Sequence, residues 1–257
     1  MPADYHDALD GALTALGITL PDAARAAIDG HVRLLLAWNG AINLTAIRDP
    51  ASIATRHVVD SLTGLAVLRA RGIDRFVDLG SGGGFPGIPL AAALPADRAL
   101  LIDSIGKKVR FLATAVAAIG LDGQVASEAI RAEALAFGDG DRGHWPAVTA
   151  RAVAPLAELA ELALPLLRPG GVLVAWKRGD PADPGALGGE LNGARRALGA
   201  IDPGGRIDVV PALGRDTGQG GGLADLADHR LVVVERGRGS IAREWPRDPA
   251  ARRRSPW

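Results

Sequence analysis

Hydrophobic positions along the chain change their spacing near residue 72, and the change divides the sequence in two. Before it, apolar residues recur at helical intervals: Ile28, Val32 and Leu35 are separated by four and three residues and form one stripe. Pro21 suits the start of that helix. In "RDPAS", Asp49 is a candidate cap with Pro50 at the first helical position. From there "ASIATRHVVDSLTGLAVL" reads as one continuous helix. After Gly72, short apolar runs alternate with helical patterns. "IDRFVDL", "RALLID", "GQVAS", "PAVTAR" and "GGVLVAWK" are predicted strands, and "RIDVVPA" and "HRLVVVER" close the series. Between them, Ile105, Val109, Leu112, Val116 and Ile119 mark one helical face, and Leu156, Leu159, Leu162 and Leu166 another. "PGALGGELNGARRAL" carries a weaker helical pattern.

This succession predicts an α/β fold: a seven-stranded, mostly parallel sheet over residues 71–236 with helices on both faces, preceded by a helical extension over residues 1–70. The last two strands are joined without a helix and are expected to form an antiparallel hairpin at a sheet edge, with "GRDTGQGGGLADLAD" as a flexible insertion. Residues 237–257 are expected to be a basic, flexible tail; from Arg236 onward, seven arginines face only Glu244 and Asp248.

Composition narrows the picture. The chain has 257 residues, 48% of them hydrophobic, with zero formal net charge and no cysteine. Zero net charge excludes a protein that coats itself in nucleic acid through bulk charge, so any polyanion site must be a local patch. The start lacks the basic-then-apolar pattern of a signal peptide, and no apolar run approaches the ~20 residues that span a bilayer. A soluble cytoplasmic protein is expected.

The chemistry concentrates in "VDLGSGGGFPGIPLA", Val77 to Ala91, at the end of the first predicted strand. Ligands of such sheets sit beyond the carboxyl ends of the strands. Two patterns overlap there. Gly82, Gly84 and Gly87 satisfy the dinucleotide spacing G-x-G-x-x-G, with Asp103 about twenty residues on. Asp78, Gly80, Gly82 and Gly84 satisfy D-x-G-x-G-x-G, the first motif of Rossmann-like methyltransferases. Pro86 and Pro89 each remove an N–H that a pyrophosphate needs at a helix N-terminus. S-adenosylmethionine carries no phosphate and a positive sulfonium, so the prolines favour it over a dinucleotide. Asp78 is placed for its positive end and Asp103 for its ribose hydroxyls.

The wider sequence resembles the small-subunit ribosomal RNA guanine-N7 methyltransferases, also called glucose-inhibited division protein B. The resemblance is carried by "WNGAINLTAIRDP", "RHVVDSL", "DLGSGGGFPGIPLA", "LIDSIGKKVRFL", "ARAVAPL" and "AWKRG", in order over residues 30 to 180. It implies a Rossmann-like class I S-adenosylmethionine-dependent methyltransferase. It also implies that Gly80 and Phe85 contact the methyl donor, that Ala132 and Glu133 meet its adenine side, and that Asp103 and Arg151 belong to the same site. The extended loop at residues 214 to 228 and the long basic tail depart from the family pattern.

Methylation at guanine N7 needs no general base, because N7 has a free lone pair; positioning supplies most of the rate. Arg151 and Lys177, at neighbouring strand ends, are the candidate groups for gripping the base, with Arg48, Arg56 and His57 facing the same cleft. Arg151 reads equally as a buried salt-bridge partner of Asp78 or Glu133, and His57 as a packed, hydrogen-bonded histidine. Lys107 is spaced to pair with Asp103. Trp38 reads as core, and Asn43 and Thr45 as a helix-ending turn. The five histidines show no metal-ligand spacing, and no metal is expected. Aromatic residues are only 4% of the chain, which argues against reading extended single strands by stacking. The expected substrate is therefore 16S ribosomal RNA within small-subunit particles, with one guanine flipped out and the protein acting as a monomer. A methyltransferase with another acceptor, an NAD-dependent oxidoreductase using Gly82, Gly84, Gly87 and Asp103, and a binding module without catalysis are the alternatives.

Overall fold

The computed structural model of the protein describes residues 1–94, 97–213 and 223–257. Seven strands form one sheet: β1 Arg75–Leu79, β2 Arg98–Ile102, β3 Val125–Glu128, β4 Trp145–Arg151, β5 Leu167–Arg178, β6 Arg206–Pro211 and β7 His229–Glu235. Their spatial order is β3-β2-β1-β4-β5-β7-β6. The strands from β3 to β5 pair in parallel, whereas β7 runs antiparallel to both of its neighbours. The expected hairpin is therefore present, with β7 inserted between β5 and β6. The dinucleotide fold has the order 3-2-1-4-5-6 without that insertion. The chain reverses its direction across the sheet between β1 and β4, and the crevice at that switch point is where ligands bind.

Alternation along the strands sends side chains into two cores. Phe76 of β1 joins a core with helices α1 Ala3–Ala15, α2 Asp22–Ile42, α6 Gly87–Ala93 and α7 Gly106–Ala118. Its neighbour Val77 joins a core on the other face with α9 Leu156–Ala163 and α10 Leu187–Ile201. The stripe Ile28, Val32 and Leu35 is fully buried in the first core, and Trp38 packs there 5.8 Å from Phe111. Asn43 ends α2 in the left-handed conformation with φ 52°, so "INL" is a helix-ending turn. On α7 the predicted face holds for Val109, Leu112 and Val116, but Ile105 is 41% exposed. It precedes the first helical residue in extended backbone and so lies off the stripe.

The segment read as one helix from residue 51 to 68 is interrupted. Asp49 caps α3 Pro50–Ile53 by accepting from Ser52 N at 2.8 Å, as its position implies. A π turn then runs over Ala54–Val59, followed by α4 Asp60–Leu62 and α5 Leu65–Ala70. Such widened turns are frequent at functional sites, and this one carries Arg56 and His57.

Residues 237–257, expected to be flexible, fold back onto the second face of the sheet and carry α11 Pro249–Arg254. The cause is a buried charge. Glu161 of α9 is fully buried, and it accepts from the Arg247 side chain at 2.7 Å, from Arg247 N at 2.8 Å and from Trp257 Nε1 at 2.7 Å. A carboxylate in that position requires such partners. Of the Gly-rich loop, residues 214–222 lie outside the described residues; Leu223–Leu226 forms a 3-10 turn with Leu223 and Leu226 buried.

Candidate active site: two clefts that meet at Gly80

The loop after β1 begins at Gly80, which has φ +64°, a conformation that L side chains rarely adopt. A Cβ there would lie 2.7 Å from Val153 Cγ2, so the close approach of loop and Val153 requires glycine as well. His31 supports the loop from below: fully buried, it donates from Nε2 to Gly83 O at 2.7 Å, and burial pushes its pKa down to about 4. Gly80 lines two clefts that open on either side of it.

The first cleft has a volume of about 490 Å³ and lies over the ends of β1 and β2. Asp103 follows β2 and is held by Gly82 N at 3.1 Å on Oδ2 and by Ile105 N at 2.8 Å on Oδ1. Each oxygen retains a lone pair for a further donor. Lys108, not Lys107, is its cationic neighbour, at 3.9 Å. Ala132 and Glu133, which open α8 Ala132–Phe137, form the far side. A nucleoside, with hydroxyl and amine donors, matches carboxylates in this position.

The second cleft, about 500 Å³, is lined by Phe85, Arg151 and Lys177, with Arg56, His57 and Asp60 from the N-terminal segment. Asp60 is buried at the centre of its charges. Its Oδ2 accepts from Arg151 Nη1 at 2.8 Å, and its Oδ1 from His229 Nδ1 at 2.8 Å. Burial works to raise the Asp60 pKa, but the bonds from His229 and Arg151 outweigh it and the net shift is downward. Arg151 Nη2 lies 3.2 Å from His57 Nδ1. A guanidinium only donates, so Nδ1 accepts and the ring proton sits on Nε2, which donates to Thr45 Oγ1 at 2.7 Å. Burial, and then the Arg151 charge, push His57 down to about 3, so the imidazole is neutral. Phe85 is sandwiched: His57 stacks on it at 4.8 Å, His31 lies at 4.7 Å and the Arg151 guanidinium at 5.4 Å.

Residues 25–184 match the family GidB, rRNA small subunit methyltransferase G. The chain belongs to that family. Similar members include the ribosomal RNA small subunit methyltransferase G of Stenotrophomonas maltophilia strain R551-3, 44% identical over 69% of this chain and 79% of that protein. The protein of the same name from Rubrobacter xylanophilus is 40% identical over 83% of this chain and 77% of its own length. Among solved structures, the O-methyltransferase of Bacillus cereus in complex with SAH superposes with a TM-score of 0.55, covering 81% of this chain and 91% of that one at 18% identity. The [4+2]-cyclase SpnF superposes with a TM-score of 0.51 at 19% identity, covering 86% and 99%. These likenesses show the fold, and its use by both a methyltransferase and a cyclase illustrates that the fold alone does not fix the reaction.

Within this GidB-family site, the structure brings most of the sequence-selected residues together. Asp103, Ala132 and Glu133 line the first cleft; Gly82, Phe85, Arg151 and Lys177 line the second; Gly80 lines both. Asp78 lines neither, which corrects its expected place beside the ligand. Two residues after Phe76, it points to the same face of β1, under α6. It is fully buried, accepts from Thr149 Oγ1 at 2.7 Å, and leaves Oδ2 without a partner. Burial pushes its carboxyl up to about 6. Gly87 roofs it: a Cβ at Gly87 would lie 2.8 Å from Asp78 Oδ2.

Arg151 is an ion-pair partner as well as a lining residue, but of Asp60 and not of Asp78 or Glu133. Lys177 donates to Glu190 Oε2 at 2.6 Å and to Ala154 O at 2.9 Å, which anchors it at the cleft edge. Arg48 is exposed and lines neither cleft. Asp60 and His229 were not singled out from the sequence. The only signal for Asp60 was its place in "RHVVD", three residues after His57. Among the described residues there is no cluster of His, Asp and Glu fit to hold a metal, and no helix long and apolar enough to cross a membrane.

Proposed function

We propose that the protein transfers the methyl group of S-adenosylmethionine to N7 of one guanosine in 16S ribosomal RNA, acting on small-subunit particles as a cytoplasmic monomer. The observation that carries this reading is the meeting of two unlike clefts at Gly80. The first offers carboxylates to a nucleoside, and the second offers cations to a nucleic acid.

S-adenosylmethionine supplies an electrophilic methyl carbon. Asp103 accepts from the ribose hydroxyls, while Glu133 and Ala132 bound the adenine side. Gly80, lacking a side chain, leaves the passage between the clefts open. In the second cleft, Arg151 is held at fixed orientation by Asp60 and His57 and donates toward a base edge or phosphate; Phe85 offers a flat apolar wall. No residue there has to remove a proton. The neutral His57 has both ring nitrogens engaged, which suits a reaction driven by alignment. The relatives' name supports RNA of the small subunit as substrate. Zero formal net charge favours an assembled particle over naked RNA.

The test is methyl transfer from labelled donor to purified small subunits and to protein-free 16S transcript, followed by mapping of the modified base. One N7-methylated guanosine, formed faster on particles, is expected. Equal rates on the two substrates contradict the particle preference, and label on another atom contradicts the assignment of N7.

A further inference from the structure

The first cleft has a wall that lies outside the family match. Residues 25–184 match the family, yet Pro249, Arg252, Arg253 and Pro256 line this cleft opposite Asp103. Arg252 is 8% exposed and has its three side-chain nitrogens engaged. Nη2 pairs with Glu133 Oε1, Nε donates to Glu158 Oε1 at 3.2 Å, and Nη1 donates to Arg247 O at 2.6 Å. One guanidinium thus joins two carboxylates of the sheet domain to the backbone of the C-terminal segment. The segment itself is clamped independently, by Arg247 on the buried Glu161.

We propose that the C-terminal segment is the outer wall of the methyl-donor site and that Arg252 is a positioning residue which fixes Glu133 to receive the purine amine. The inference rests on the first cleft holding S-adenosylmethionine. With one oxygen held by Arg252, Glu133 presents the other in a set direction, and a ligand then finds its acceptor already ordered. Without the cation, Glu133 and Glu158 face one another as like charges and Glu133 swings free. The arginines of this segment therefore have different work. Arg247 and Arg252 serve the fold and the donor site, while Arg253 lines the cleft and is exposed, and Arg254 beside it is exposed too.

The experiment titrates the full chain by calorimetry with S-adenosylhomocysteine and with S-inosylhomocysteine, in which a carbonyl replaces the purine amine. The wild type is expected to prefer the amine. In Arg252→Gln the affinity for S-adenosylhomocysteine falls about tenfold, the effect of releasing one charge-assisted contact. The affinity for the inosine analogue changes little, and Arg252→Lys recovers part of the loss. This variant keeps the Arg247 clamp, and a thermal melt matching that of the wild type certifies that it folds. Trypsin cleavage after Arg253 and Arg254 is also expected to slow when the ligand is bound. Unchanged affinity in Arg252→Gln overturns the proposal, as does an equal loss for both ligands, which marks a merely structural residue. Wild-type protein that binds neither ligand overturns the donor reading itself, and the proposal with it.

Discussion

The two clefts on either side of Gly80 are similar in volume and opposite in construction. In the second, the charges hold one another. Asp60 is buried between Arg151 and His229, and Arg151 in turn fixes a neutral His57. In the first, Asp103 is held by backbone N–H groups of its own and the neighbouring loop, and Glu133 by an arginine more than a hundred residues away. A side-chain network of mutual partners is rigid but fragile, because removal of one member leaves another buried charge alone. A carboxylate held by backbone donors is sturdier, since only proline at a donor position removes one. On the proposed assignment, the cleft for RNA is thus built from the more breakable kind of contact, and the cleft for the nucleoside combines the durable kind at Asp103 with a side-chain pair at Glu133.

Substitutions separate the two. The largest effect is expected for Asp60→Ala, which strands Arg151 and His229. Denaturant titration should show a loss of about 3–5 kcal/mol, methyl transfer should fall steeply, and S-adenosylhomocysteine binding by the folded fraction should persist. Parallel loss of ligand binding would mean that the clefts are one coupled unit. Next, Asp103→Asn should weaken S-adenosylhomocysteine by about 1.5–3 kcal/mol, the worth of hydrogen bonds to a charged group, and leave particle binding intact. A change in particle binding would break the division of labour.

Asp78, beneath the shared loop, gives a smaller effect with a definite sign. Its folded pKa of about 6 lies above the ordinary 3.8, so ionisation disfavours the native state, and the stability it contributes falls as pH rises from about 4 to 6. Asp78→Asn should therefore be more stable than wild type at pH 8, by about 1–3 kcal/mol, with the advantage disappearing below pH 4 in thermal or urea melts. A constant difference across that range would mean that the carboxyl is not buried as described. The smallest effect is expected for Thr45→Val. It removes one hydrogen bond from the neutral His57, costs about 0.5–1.5 kcal/mol, and should lower methyl transfer without touching the first cleft.

The strands and most helices were legible because their apolar spacing follows the faces they bury: Val109, Leu112 and Val116 on α7, or Leu156 and Leu159 on α9. The glycines and Asp103 were legible because loop geometry and strand ends impose them locally. What escaped was set by distance along the chain or by packing. Asp60 and His229 are 169 residues apart and meet only because β7 inserts beside β5. The docking of the tail depends on Glu161, a residue that reads as the polar side of a helix until the partner segment covers it. Asp78 stands near a strand end, where a ligand contact is expected, but its alternation with Phe76 sends it to the face covered by α6. The π turn at Ala54–Val59 keeps a helical apolar pattern, so periodicity gave no warning of it.

On the proposed function, one nucleoside donor spans from Asp103 to Gly80 and meets the second cleft there. A crystal of the protein soaked with S-adenosylhomocysteine tests it most directly. The ribose is expected on Asp103, the purine beside Glu133, and the sulfur next to Gly80 facing Phe85 and Arg151. A ligand seated in the second cleft, or one whose sulfur points away from Gly80, would contradict it.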